Sequence, residues 1–288
     1  VSSKGDAGIA MPLPTGVRRV VHSIALPWMA FTLIVYLFAL AGGFVQTWGR
    51  DYTITLNHFR TAFNVEWGEF GMVWAGTAWN SFFTTIKLAA ISAPLTAALG
   101  IGIAWLLART EFRGQGAFEF SALLAFAIPG TVLGVSYILA FNVPPFELTG
   151  TALVIVLCFM FRNLPVGVRA GTAAFKQLDR SLDEASVMLR AGSLQTLRHV
   201  VLPLLKPALV AALVYSFVRA ITTVSAVIFL VTAENELATT YIIGRVGNGD
   251  YGVALAYCTV LILLMSASTG LIQWLVGDRK LGRRGSTP

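Results

Sequence analysis

Charge is scarce in this 288-residue chain, where Asp, Glu, Lys and Arg make up only 12%, against about a quarter in an ordinary soluble domain. Cysteine is scarcer still, at two residues. Cys158 and Cys258 both fall inside long apolar runs, so they are packing residues and exclude a disulfide framework or a thiolate metal site. No Gly-x-x-x-x-Gly-Lys-[Ser/Thr] run occurs, so the chain cannot cradle a nucleotide by itself in the usual way. Gly247-Asn248-Gly249-Asp250 matches the Gly-x-Gly-Asp of membrane-embedded aspartyl proteases, but that chemistry needs a second aspartate and no apolar run contains one. His22, His58 and His199 are scattered without metal-ligand spacing, which removes a metalloprotease or an oxidase. Short alternating segments are absent, which excludes a β-barrel. No repeat, low-complexity tract or long linker divides the chain.

What is present is apolar: the hydrophobic fraction is 56% and the mean hydropathy +0.73. Ile24–Phe44, Leu88–Ala108, Phe120–Phe141 and Tyr251–Val276 are free of charge and each has the roughly 20 residues a helix needs to cross about 30 Å of hydrocarbon. Two further spans are expected: Thr149–Phe175, interrupted only by Arg162 and Arg169, and Pro207–Thr232, interrupted only by Arg219. The expected fold is therefore all-α and polytopic, with six transmembrane helices. The first run is long enough to span and follows a polar tail, so no cleaved secretory signal is expected.

Basic residues set the orientation. Fourteen lysines and arginines fall on one side, in the two tails and in the loops after the second and fourth spans; the other side holds Arg50, Arg60 and Arg245. Both termini are thus expected in the cytoplasm. The net charge of +7 is explained by these membrane edges and by anionic lipid, and calls for no nucleic acid. Outside, the segment Gln46–Asn80 carries Trp48, Trp67, Trp74 and Trp79 and a helix-compatible stretch, Leu56–Phe63, suited to an extracytoplasmic cap lying along the interface. The expected layout is a tail over 1–22, a membrane domain over 23–276 with a cytoplasmic loop at 177–203, and a basic tail over 277–288.

That loop is polar, basic and helix-forming in an otherwise apolar chain. Ser181-Leu182-Asp183-Glu184 has capping-box form, so a helix is expected to start with Ser181 as its cap and Glu184 reaching back. Leu182, Ala185, Met188 and Leu189 recur at helical spacing, and Ala191-Gly192 is expected to stop the helix through a left-handed glycine. A second short helix capped by Ser193 runs to Val201, and Pro203 suits the first turn of the next span. An apolar stripe facing water must be covered, either by the bundle or by another protein.

The spacing Glu184-Ala185-Ser186, position 190, Val200 and Leu202-Pro203 resembles the cytoplasmic signature of ABC-transporter permeases of the binding-protein-dependent importer class: Glu-Ala-Ala, three residues, Gly, nine residues, Ile, any residue, Leu-Pro. Ser186 replaces the second alanine, and Arg190 stands where glycine is usual. Asn80-Ser81 and Leu106-Leu107-Ala108-Arg109 also resemble that family's core. Arg219-Ala220-Ile221-Thr222-Thr223-Val224-Ser225-Ala226 and Ala238-Thr239-Thr240-Tyr241-Ile242-Ile243-Gly244-Arg245 look most like the ferric-iron importer permeases, in particular the C-terminal half of double-length forms, which would also suit a chain opening on Val1; a processed or trimmed form would suit it equally.

The resemblance implies a non-enzymatic permease of the bacterial inner membrane that binds no cofactor itself. Its implied partners are two ATP-binding cassette subunits that carry the ATP, a second permease half (fused, homologous or identical) and a periplasmic solute-binding protein. Leu182, Glu184, Ala185, Met188, Leu189, Gly192, Leu202 and Pro203 would form the ATPase-coupling element. Of the intramembrane groups, Arg219 lies about 24 Å along a helix from Pro203 at 1.5 Å per residue, too deep to reach the interface. It is a candidate lining residue with Arg162, Thr222, Thr223 and Ser225, while Arg169 reads as an interface anchor. Oxygen donors inside the spans are hydroxyls, and an arginine repels a bare trivalent cation, so no metal ligands are assigned. The cargo is ferric iron, or else a small anion such as a phosphonate or sulfate. A membrane scaffold with a partner-binding knob is the reading from a different class.

Overall fold

A computed structural model describes residues 14–276 apart from Phe70, Arg180 and Leu189. The tail over 277–288 lies outside them. The chain is mostly helical, and five of its helices are long and apolar enough to cross a membrane. The first, α1 (Thr15–Gly42), already begins within the expected tail. Two antiparallel hairpins follow, β1 (Val45–Thr47) with β2 (Asp51–Ile54) and β3 (Glu66–Gly68) with β4 (Gly71–Val73). Between them lies the short helix α2 (Asn57–Phe63), where the cap helix was expected. Trp74, Trp79, Phe82 and Phe83 pack beside it, Trp79 stacked on Phe83 and the other pairs edge-on, so the aromatic residues build the cap as a cluster.

The long helix α3 (Trp79–Arg109) packs with α6 (Ala152–Gln177) and α9 (Leu202–Ile221) to form the centre of the bundle. Small residues set how closely α3 and α6 approach: a Cβ on Gly100 would lie 2.9 Å from the Gly167 Cα, and one on Gly171 would lie 2.6 Å from the Ala104 Cβ. Without hydration forces to press helices together in lipid, this close backbone contact is the main source of packing energy. Pro165 sits inside α6 and removes one of its backbone hydrogen bonds. The last helix, α11 (Tyr251–Val276), lies antiparallel to α1, with Gly42 against Leu255 and the Thr259 hydroxyl donating to the Ala39 and Leu40 carbonyls.

Two expected spans differ from the structure. Phe120–Phe141 is not one helix. It divides into α4 (Gln115–Leu123) with a 3-10 turn (Leu124–Phe126), and α5 (Gly130–Phe141), meeting at 108°. The cause is Ile128-Pro129-Gly130: the proline has no N–H to continue the helix and drives the residue before it out of the α region. Likewise α9 ends at Ile221, well short of Thr232. The residues 222–232 form successive turns with Ala226, Val227 and Leu230 buried, and lead into a short helix, α10 (Ala238–Gly247). Hydrogen bonds lock α10 in place, from the Ala238 N–H to Thr85 Oγ1 at 2.7 Å and from Thr239 Oγ1 to the Thr223 carbonyl at 2.9 Å. Among the described residues, five long helices and one bent pair take the places of the six expected spans.

Candidate coupling and translocation sites

The loop between α6 and α9 folds as two short helices, α7 (Ser181–Met188) and α8 (Ser193–Thr196), and α8 runs through a π-turn (Leu197–Val201) into α9. The second helix is therefore shorter than expected and continuous with the span that follows. The start of α7 is held by an aspartate, while the Glu184 half of the expected capping box lies outside the described side chains. The first residue of α7 is Ser181, whose N–H donates to Asp179 Oδ1 at 3.0 Å; that bond holds the Asp179 carboxyl below the usual carboxylate range. An aspartate two residues ahead of a helix start competes effectively for that N–H, because its shorter reach forms a local turn.

The stop differs from expectation in the same way. Gly192 does not adopt the left-handed conformation; Arg190 does, at φ 59°. The Ala191 N–H bonds the Ser186 carbonyl at 3.1 Å, the closing bond of a Schellman turn. Arg190 thus keeps the backbone shape that glycine usually supplies at this point of the signature, despite the steric cost of a Cβ there. Arg190→Gly is expected to relieve that cost and slow amide exchange across α7 about threefold, the equivalent of roughly 0.6 kcal/mol after glycine's extra unfolded-chain entropy is subtracted. Hydrogen-exchange mass spectrometry of the two proteins in nanodiscs checks it.

Ser186, which replaces the usual second alanine, is buried and shares a 2.7 Å hydroxyl hydrogen bond with Thr196, tying α7 to α8. The knob is rooted on the bundle by Ile101, Ala104, Phe175, Val201 and Leu205, against which Leu202 packs, and by Arg109 Nη2 donating to the Leu178 carbonyl at 3.3 Å. Met188 stands out from it at 86% exposure, and Ala185 and Pro203 are exposed as well. Of the expected coupling residues, Leu202 serves the root and Met188 and Ala185 the exposed face. Leu189 and the side chains of Leu182 and Glu184 lie outside the described residues.

The second site lies at the break in the third span. Arg162, in the first half of α6, directs Nη2 to Ser225 Oγ at 3.4 Å, so two expected lining residues 63 positions apart do meet. Gly130, the first residue of α5, makes this possible: a Cβ there would lie 2.1 Å from Ser225 Oγ and 2.7 Å from Arg162 Nη1. One turn on, a Cβ at Gly134 would lie 2.3 Å from the Ala226 carbonyl oxygen. Thr222 and Arg219 are exposed at the end of α9, and Thr223 is buried with its hydroxyl turned back to the Arg219 carbonyl. Arg169 lies over the Phe126 ring at 5.9 Å.

Sequence reasoning did not find Gly130, Gly134 or Asp179. The first two were signalled by the Pro129-Gly130 pair inside an apolar run, and Asp179 by its place two residues before a helix start.

The model of a family described as "binding-protein-dependent transport system inner membrane component" matches residues 97–280. The chain is 46% identical over 281 residues to the ferric transport system permease protein FbpB of Actinobacillus pleuropneumoniae, covering 98% of this chain and 40% of that protein. It is 30% identical over 218 residues to the sulfate transport system permease protein CysT of Salmonella typhimurium, covering 70% of this chain and 79% of that one. The chain spans about two fifths of the length of the FbpB proteins it matches. Among solved structures, a subunit of a bacterial ABC transporter involved in the import of the acidic polysaccharide alginate superposes with a TM-score of 0.68 at 16% identity, covering 91% of this chain and 98% of that one. A second structure of an alginate transporter, in complex with a periplasmic protein bound to an alginate pentasaccharide, superposes with a TM-score of 0.66.

Proposed function

Because this chain belongs to the family of binding-protein-dependent transport system inner membrane components, we propose that it is the membrane-crossing subunit of an ATP-driven importer. In this reading it forms one half of a two-permease pore, fused to, paired with or duplicated by the other half. The knob of α7 and α8 seats on one of two ATP-binding cassette subunits, and the hairpin end receives a periplasmic solute-binding protein. The observation that carries the reading is the knob itself: two short helices tied together by Ser186 and Thr196 and rooted where α3, α6 and α9 meet, with Met188 turned outward at 86% exposure, where a partner can receive it. Movement of the knob then shifts α6 and α9 as bodies, which alternating access needs.

Ferric iron is the first cargo, because the FbpB protein, 46% identical over nearly the whole chain, is named for it. A small oxyanion is the second, favoured by the arginine at the broken span and by the likeness to a sulfate permease. Adding an iron-loaded binding protein to the complex in lipid vesicles is expected to raise ATP hydrolysis severalfold. Stimulation only by an anion-loaded binding protein transfers the assignment to the second cargo, and no stimulation by any cargo favours a scaffold.

A further inference from the structure

Arg162 lies ten residues into α6, about 15 Å from its start and about 22 Å from its end at 1.5 Å per residue, so its guanidinium sits at membrane depth. No aspartate or glutamate occurs in α3, α5, α6, α9, α10 or α11, and Glu119 of α4 is exposed. Among the described residues the ion pair joins Arg245 and Asp250, at the hairpin end where α11 begins. Arg162 Nε is buried without a hydrogen-bond partner, and Nη2 has only the long contact to Ser225 Oγ. A guanidinium at this depth with no carboxylate to neutralise it is expensive, and such residues mark the path of what crosses.

Two further features point the same way. The N–H groups of Gly130, Thr131 and Val132 open α5 with no carbonyl ahead of them in the helix, since Leu133 takes the Pro129 carbonyl. That end of α5 carries the positive pole of the helix dipole, and Gly130, having no Cβ, brings it within reach of Arg162 and Ser225. Of the groups named here, the guanidinium and the N–H groups donate hydrogen bonds or carry positive charge, and the Ser225 hydroxyl can do either. No groups of three or more His, Cys, Asp or Glu that could hold a metal ion occur among the described residues. This is a receptor for anionic oxygen and repels a bare trivalent cation.

We infer that the cargo passes Arg162 as a net anion, its oxygen held by the Arg162 guanidinium, Ser225 and the first N–H groups of α5. The inference rests on the permease reading and sharpens its cargo: iron crosses only inside an anionic complex, or an oxyanion crosses without iron.

The test uses the whole importer in lipid vesicles. Its cargoes are ferric citrate with iron and citrate labelled separately, inorganic phosphate, and sulfate, each with an imposed membrane potential. Uptake is expected to speed up when the receiving side is positive. Either citrate enters with iron, or phosphate or sulfate enters alone; the first outcome identifies a complexed metal as the source of the anion and the second a free oxyanion. Arg162→Gln is expected to cut uptake about a hundredfold and Arg162→Lys about tenfold, and the thermal stabilisation of the detergent-solubilised complex by millimolar phosphate or sulfate should vanish in Arg162→Gln. If that variant does not assemble, Ser225→Ala takes its place, with a smaller loss of the same stabilisation.

Iron entering without labelled anion and accelerated by a negative receiving side overturns the inference, as does unchanged uptake and stabilisation in an assembled Arg162→Gln complex. Absence of cargo-stimulated hydrolysis in the wild type strikes the permease reading instead, and the stabilisation by phosphate or sulfate then still decides whether Arg162 holds an anion.

Discussion

Met188→Glu is expected to weaken binding of the ATP-binding cassette subunit by at least about a hundredfold, or roughly 2.7 kcal/mol, and to leave ATP hydrolysis unresponsive to cargo. Met188 is 86% exposed in the free chain and ends the eight-residue α7. Burying such a side chain in a partner contributes about 1.5–3 kcal/mol, and the substituted carboxylate adds the cost of desolvating a charge. The knob itself should survive, because its folding depends on the Ser186–Thr196 bond, the Asp179 cap and the cluster around Phe175, none of which involves Met188. Binding of the isolated ATPase to the permease in nanodiscs, read beside amide exchange across α7, separates lost contact from lost fold. An assembled Met188→Glu complex that still responds to cargo would falsify the assignment of this face.

Gly134→Val is expected to cost about 3 kcal/mol of stability, at the upper end of what overpacking a tight interior costs. The atom in the way is the Ala226 carbonyl oxygen, 2.3 Å from where the new Cβ would stand, with the Phe229 ring at 3.2 Å. A side chain can rotate aside, but a backbone carbonyl in a turn cannot move without displacing Ala226 and Val227, both fully buried. Separating α5 from that turn would also withdraw Gly130 from Ser225. Gly102→Ala, on α3 with nothing within 4 Å of the added carbon, is the matched control and should be neutral or slightly stabilising, as alanine favours the helix. Unfolding of the purified proteins in mixed micelles, followed by tryptophan fluorescence, compares the two. Equal stability would mean that α5 does not pack against the turn as described.

How much could be read beforehand depended on the kind of signal. The start of α11 at Tyr251 was legible, because hydropathy and the Gly249-Asp250 stop coincide there. The two short helices of the knob were legible from residue spacing, since α7 begins at Ser181 and α8 at Ser193. Hydropathy does not register backbone breaks, so Phe120–Phe141 read as one span although Pro129-Gly130 stood in the middle of it. It also cannot separate a helix from an apolar turn, which is why Pro207–Thr232 ran past Ile221. There the β-branched run Ile221-Thr222-Thr223-Val224 was the weak sign of an ending. The meeting of Arg162 with Ser225 was not legible at all. Both were candidates for the same path, but only the glycine at position 130 and the fold of the turn after α9 bring them within 3.4 Å.

The close approach of Gly100 to Gly167 makes α6 a beam resting on a fulcrum. From Gly167 to Gln177, at the root of the knob, the arm is about 15 Å, and from Gly167 to Arg162 it is about 8 Å at 1.5 Å per residue. If α6 pivots there, a sideways push on the knob is expected to reach the level of Arg162 halved in size and opposite in direction. Pro165, inside the shorter arm, lacks one backbone hydrogen bond, and its stiffness sets how much of that push arrives.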